Sequence, residues 1–189
     1  NELRLWNVPQ RYALAVEATP PPRAALLPHI WLSDEEIRQG QRLLEQLPDK
    51  AGTPPIALHP YATHPDKAWK EAYWRQLVEL FESRGIPWIV IGRGSGMEGI
   101  PASRNFTNRT SLRETCALLK SSSLLITGDS GPMHLAGAVG TPVLALFGPT
   151  TEEWGFFPAG PKDRVLESQL DCRPCTLHGK KHCDRNHAC

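Results

Sequence analysis

Four short apolar runs, each followed by a loop and the first three also by a segment able to form a helix, decide what this chain can fold into. The runs are Ile56-Ala57-Leu58, Trp88-Ile89-Val90-Ile91, Leu124-Leu125-Ile126-Thr127 and Val143 to Phe147. Short, uniformly apolar runs read as strands buried on both faces. Between them, residues 70–84 carry Trp74, Leu77, Val78 and Phe81 at helical spacing, and Gly85 stands where a left-handed residue ends a helix. Ser33 with Glu36, and Ser111 with Glu114, form capping boxes that open two further helices. In the first of these, Ile37, Leu43, Leu44 and Leu47 share one side. Pro132 opens another helix at the position where a missing N–H costs nothing. Strands alternating with helices predict an α/β fold, a parallel sheet with helices on both faces. In such sheets ligands bind beyond the carboxyl ends of the strands. Every loop of unusual composition here follows a strand, so all of them should open on one edge.

Length and composition narrow the function classes. The 189 residues allow one domain with a sizeable core and are too few for two ordinary domains. Lys and Arg total 21 against 20 Asp and Glu, which gives no support to a nucleic-acid binder. The longest apolar stretch, Leu135 to Phe147, is broken by Gly137, Gly140, Thr141 and Pro142. It falls short of the roughly eighteen apolar residues of a membrane span, and no signal-peptide pattern is present. A reducing, cytoplasmic setting is therefore predicted. The chain starts on Asn1 rather than Met, which reads as a piece of a longer protein. Residues 1–17 read as the tail of a missing N-terminal domain. Residues 18–30, with Pro20-Pro21-Pro22 and Pro28, read as a Pro-rich linker or extended arm. Residues 31–170 form the main domain, and 171–189 a Cys/His-rich tail.

The strongest chemical signal is Thr127-Gly128-Asp129-Ser130-Gly131-Pro132-Met133-His134. A strand running into a Gly-flanked turn and a helix leaves unpaired N–H groups at the helix start, a site for phosphate. Gly131 lets a ligand approach the backbone, Ser130 can donate a hydroxyl, and His134 can reach the same anion. Asp129 would repel a bare phosphate and is better suited to accept from a hydroxyl. The competing reading is a plain strand–turn–helix in which Asp129 or Ser130 merely caps. A second loop, His59 to Trp69, also follows a strand and offers Lys67 as a point charge and Thr63 as a hydroxyl. The competing reading, the stronger one for this loop taken alone, is a surface Lys67 with Trp69 packing on the core. A third, Gly92-Arg93-Gly94-Ser95-Gly96-Met97-Glu98, has the glycines of a phosphate loop but not the spacing of a dinucleotide fingerprint. Glu98 could hold a ribose diol. In a fourth loop, Thr150 and Thr151 could border a ligand or cap the next turn.

In this order the four loops resemble glycosyltransferase family 9, the lipopolysaccharide heptosyltransferases and their relatives. The matching stretch runs from Ser111-Leu112 to Gly148-Pro149-Thr150 and is centred on Gly128 to His134, and the resemblance, over about residues 30–189, takes in Lys67-Ala68-Trp69, Glu98 and Cys172-Arg173-Pro174-Cys175. It implies one Rossmann-like half of a GT-B enzyme, the half that binds a nucleotide-sugar donor, usually ADP-heptose. The lipopolysaccharide or glycan acceptor and the catalytic base would belong to the missing domain, so no catalytic residue is expected here. The resemblance further implies inverting transfer with no cofactor required for the chemistry, and peripheral inner-membrane association of the full enzyme. It places Lys67 on the diphosphate, Glu98 on the ribose, and Asp129, Ser130, Gly131 and His134 in the phosphate and sugar pocket, with Thr63 beside them. Arg93 departs from the pattern, standing where many relatives have Gly. The alternatives are a GT-B sugar-nucleotide epimerase and a non-catalytic, metal-stapled module.

The tail carries Cys172, Cys175, Cys183 and Cys189, with His178, His182 and His187 among them. Four such ligands suit a structural zinc ion, although the spacing beyond Cys175 is not that of a standard finger. Free thiols or disulfides without metal remain the alternative. Cys116 lies on an apolar helix side and reads as a small core residue.

Overall fold

The computed structural model describes residues 6–48, 52–95, 97–176, 183 and 185–189. In chain order the elements are α1 (Val8–Ala13), α2 (Asp34–Leu44), β1 (Ile56–His59), α3 (Glu71–Ser83), β2 (Trp88–Val90), α4 (Leu112–Lys120), β3 (Leu124–Gly128), α5 (Gly131–Val139), β4 (Val143–Phe147) and β5 (Arg164–Glu167). Both capping boxes form: the Ser33 hydroxyl accepts from the Glu36 N–H, and the Ser111 hydroxyl from the Glu114 N–H. Gly85 adopts φ +62° just past α3, as a helix-ending glycine should.

The strands form one parallel sheet in the order β2-β1-β3-β4-β5. The chain steps from β1 to one side and then returns to the other. The reversal leaves a crevice between the carboxyl ends of β1 and β3, the place where open α/β sheets receive ligands. Alternation along each strand divides the core into two layers. Ala57, Ile89, Leu125, Val143 and Ala145 face Cys116 and Leu119 of α4 and Met133, Ala136 and Val139 of α5. Leu58, Trp88, Val90 and Ile126 face Trp74, Val78 and Phe81 of α3. The predicted helices on both faces are therefore present.

Strand β5 has no counterpart among the predicted strands. It is an edge strand with a mostly exposed burial pattern, so its residues show none of the apolar continuity that marks the inner strands. The segment around α1 is clasped to this domain. Asn7 and Gln10 close a capping box on α1, Gln10 Nε2 donates to the Pro21 carbonyl, and Arg11 donates to the carbonyls of Glu153 and Trp154. The Pro-rich stretch turns once as a 3₁₀ segment at Arg23–Leu26, and the Ile30 N–H donates to the Ala138 carbonyl. The stretch is thus held at Pro21 by α1 and at Ile30 by α5.

Helix α2 lies on α4 through Gly40. A Cβ at Gly40 would stand 2.7 Å from the Ala117 carbonyl carbon, which is helix backbone and cannot step aside alone. Gly137, inside α5, has nothing within 4 Å of its Cβ position. Two alanine substitutions should therefore act in opposite directions. Gly40→Ala is expected to cost about 1–3 kcal/mol by overpacking. Gly137→Ala is expected to stabilise by about 0.5–1 kcal/mol through helix propensity. Urea midpoints of the two variants measure both.

Candidate functional site

The site is built where β1 and β3 end side by side. His59 and Thr127 are register partners, and the His59 Nδ1 lies 3.1 Å from the Thr127 hydroxyl. That hydroxyl is 2.9 Å from the Ser130 hydroxyl, which is itself 3.3 Å from His59 Nδ1. Both hydroxyls are also within donating distance of the Gly128 carbonyl. Ser130 is the N-cap of α5, but its side chain is occupied in this network and makes no capping bond. No side chain therefore caps the first N–H groups of α5.

His59 is buried, and desolvation pushes its pKa down from 6.5 to about 4. Its neutral ring is part of the packing: a Cβ on Gly92 would meet it at 2.5 Å. Tyr61 covers the same loop, and a Cβ on Gly94 would meet its ring at 2.4 Å. Gly92 and Gly94 thus make room for His59 and Tyr61, which is why this loop is glycine-rich without a fingerprint. Asn108 holds the loop from the other side. It accepts from the Gly94 N–H through Oδ1 and donates to the Gly94 carbonyl through Nδ2, at 3.2 and 2.8 Å.

These elements enclose a cavity of about 450 Å³. Its walls include His59, Tyr61, Thr63 and Arg93, the α5 residues Gly131, Pro132 and Leu135 with Ser130, and Thr110, Leu112 and Thr115 around α4. The lining mixes apolar, hydroxyl-bearing and backbone groups. Of the residues that the sequence singles out, Thr63, Ser130 and Gly131 meet here.

Lys67 and Asp129 meet each other instead. Lys67 Nζ is 2.6 Å from Asp129 Oδ2, and both side chains are only 15% exposed. The backbone after β1 passes over Gly128, where a Cβ would come within 3.4 Å of the Lys67 carbonyl. Lys67 borders a second, larger cleft of about 650 Å³, formed with Trp69, Tyr73 and Leu166. His134 stands on the first turn of α5. Desolvation lowers its pKa, and the Asp129 carboxylate pulls the other way. Glu98 is exposed in a turn and lines neither of these cavities; its neighbour Met97 packs into the α3 layer. Thr150 is buried, and the Thr150 and Thr151 hydroxyls have no hydrogen-bond partner among the described residues. The cavity residues to which the sequence reading gives no role are mainly Thr110, Leu112, Thr115 and Leu135. Their only signal is position, at the start of a helix after a strand.

The tail folds onto this edge. Arg173, between Cys172 and Cys175, donates to the carbonyls of Phe147, Gly148, Thr150 and Ser168 and pairs with Glu167. Cys172, Cys175, Cys183 and Cys189 all border one cavity of about 30 Å³, beside Asp66 and His187. All five cysteines are unbonded thiols. Burial raises the thiol pKa of Cys175 and Cys189, with the neighbouring thiols adding to it. Among the described residues, no three His, Cys, Asp or Glu side chains are placed to hold a metal ion. His178 and His182 lie outside the described residues. No helix among the described residues is long and apolar enough to cross a membrane.

A parallel sheet covered on both faces, with a half-apolar cavity at its switch point, defines an α/β ligand-binding domain. Residues 7–184 match glycosyltransferase family 9 (heptosyltransferase), and the chain belongs to that family. It is 35% identical over 153 residues to lipopolysaccharide heptosyltransferase 1 of Pseudomonas aeruginosa, covering 74% of this chain and 40% of the relative. The solved structure of E. coli ADP-heptose lps heptosyltransferase II overlays with TM-score 0.63 at 25% identity, covering 78% of this chain and 46% of that one. The iron-containing dodecameric glycosyltransferase TibC from enterotoxigenic E. coli H10407 overlays with TM-score 0.53 at 24% identity, covering 68% and 36%. The chain therefore spans less than half the length of each of these relatives.

Burial of neutral His59 has a consequence for stability. With the folded pKa near 4 and the unfolded value near 6.5, the unfolded chain takes up a proton first as pH falls. The stability tied to a neutral His59 is complete above pH 6.5 and is lost between 6.5 and about 4, by about 3 kcal/mol in all. His59→Asn cannot titrate, so its urea midpoint should fall less than wild type across that window. Parallel pH profiles of the two proteins would show His59 to be exposed instead.

Proposed function

We propose that this chain is the donor-binding half of an inverting heptosyltransferase. The whole enzyme would move heptose from ADP-heptose onto a lipopolysaccharide core or related glycan. The observation that carries the reading is the start of α5. Its side-chain cap is absent because Ser130 is held by Thr127 and His59, and it opens into a cavity with no acidic lining residue.

A base would lie against Leu112, Pro132 and Leu135, and the diphosphate would approach Ser130 and Gly131. As the glycosyl bond breaks, negative charge grows on the departing nucleoside diphosphate. The amides of α5 and the Lys67 ammonium would stabilise it where it develops. Asp129 keeps Lys67 in place through the ion pair and has lone pairs left to accept from a sugar hydroxyl. The acceptor and the base that activates it would come from a second domain, so this chain alone should not turn over. The setting would be cytoplasmic, with any membrane attachment of the whole enzyme peripheral.

Thermal shift and calorimetry test this. ADP at about 100 times its dissociation constant should raise stability by about 2.7 kcal/mol, seen as several degrees. UDP and GDP should do less. Lys67→Ala should weaken ADP binding by about tenfold or more while leaving the circular dichroism spectrum unchanged. Absence of stabilisation by any nucleotide would count against the donor-site reading.

We also infer that the tail thiols are a structural zinc site, supported by the four cysteines bordering one cavity of about 30 Å³. Metal binding would require the thiols to turn inward and lose their protons. It would tie the tail to the turn carrying Asp66 and Lys67. Elemental analysis of protein purified without chelator should find one zinc per chain. Iron in its place, as in TibC, would change the occupant. No stoichiometric metal would remove the site.

A further inference from the structure

We propose that Arg93 is a phosphate-binding residue of the donor site, the cation that faces the nucleotide's diphosphate in the cavity between β1 and β3. The inference rests on the donor-site reading above and names a residue for it. Among the residues lining the 450 Å³ cavity, Arg93 is the one that carries a full charge; its neighbours are hydroxyl, apolar and aromatic residues and the neutral His59. Its side chain is exposed, and no hydrogen bond or ion pair engages the guanidinium among the described residues. Lys67, the other cation near the crevice, is already paired with Asp129 at 2.6 Å and borders the other cleft. A bound anion therefore finds its unspent positive charge on Arg93.

The backbone that carries Arg93 is fixed on both sides. The Gly92 carbonyl accepts from the Asn108 N–H at 2.9 Å, and Gly94 makes two bonds with the Asn108 side chain. Gly92 and Gly94 are further pinned by the rings of His59 and Tyr61. A guanidinium on an anchored loop loses less freedom on binding than one on a mobile loop. Its planar fork matches two phosphate oxygens, which an ammonium cannot do. Ser130 and Gly131 line the same cavity, so an anion there has the start of α5 as well as the guanidinium within the same walls.

The test is calorimetry of the 189-residue chain with ADP and with adenosine, at low and at higher salt. Arg93→Ala should weaken ADP about tenfold to a hundredfold and change adenosine by no more than about twofold. Arg93→Lys should fall between, since it keeps the charge and loses the fork. Added salt should weaken ADP binding more in wild type than in Arg93→Ala. Wild-type ADP affinity in Arg93→Ala would overturn the assignment, as would an equal loss of ADP and adenosine, which would put Arg93 on the nucleoside. Lys67→Ala is the control that separates the two claims. If it loses ADP while Arg93→Ala does not, the nucleotide binds by Lys67 and Arg93 falls. If the wild type binds neither ligand, the donor-site reading fails and Arg93 with it.

Discussion

Parallel pairing of β1 with β3 sets the geometry of the whole crevice. In that register His59 stands opposite Thr127, and the two side chains meet inside the sheet edge. The contact reaches one residue further, to the Ser130 hydroxyl, and so takes away the group that would have capped α5. A one-residue slip of β1 would turn His59 to the opposite face and take it away from Thr127 and Ser130. The same register lets the backbone of Lys67 cross over Gly128, where there is no side chain to obstruct it. A polar contact set between two paired strands thereby leaves the helix start beside it without a side-chain cap.

Charge is distributed on either side of that edge. Lys67 and Asp129 neutralise each other at 15% exposure, so the carboxylate that follows β3 does not confront the cavity alone. The cavity itself is lined by uncharged groups, with Arg93 at its margin. Partial desolvation strengthens each of these interactions relative to water. In the proposed donor complex, the anion would enter a cavity with no acidic residue among its lining, and Asp129 beside it is already paired. The tail adds rigidity from below. Arg173 gathers the carbonyls of Phe147, Gly148 and Thr150, and so fixes the loop that adjoins the Lys67 turn.

Much of this architecture is legible in the sequence, because buried parallel strands and capping boxes write themselves locally. Ser33 with Glu36 and Ser111 with Glu114 are such cases, as is the Gly128 to His134 block. What is not legible depends on contacts distant in sequence. Strand β5 pairs only at the sheet's edge and has no apolar signature. Gly40 looks like a flaw in α2 until α4 is laid against it. Gly92 and Gly94 read as a phosphate loop, but they accommodate the rings of His59 and Tyr61. Thr110, Leu112 and Thr115 reach the cavity because α4 starts there, which spacing alone does not reveal. Glu98 is the opposite case: a plausible ligand residue by its place after a strand, it is exposed in a turn away from the cavity lining.

The most direct measurement is a residue-resolved ¹⁵N–¹H titration of the chain with ADP. If the crevice between β1 and β3 is the donor site, the largest amide shifts should fall on Thr63, Gly92 to Gly94, Ser130 and Gly131. The opposite edge of the sheet, around Ser121 to Ser123, should stay still. Shifts centred on Trp69, Tyr73 and Leu166 would instead put the ligand in the neighbouring cleft. That outcome, or shifts scattered over the surface, would contradict the account.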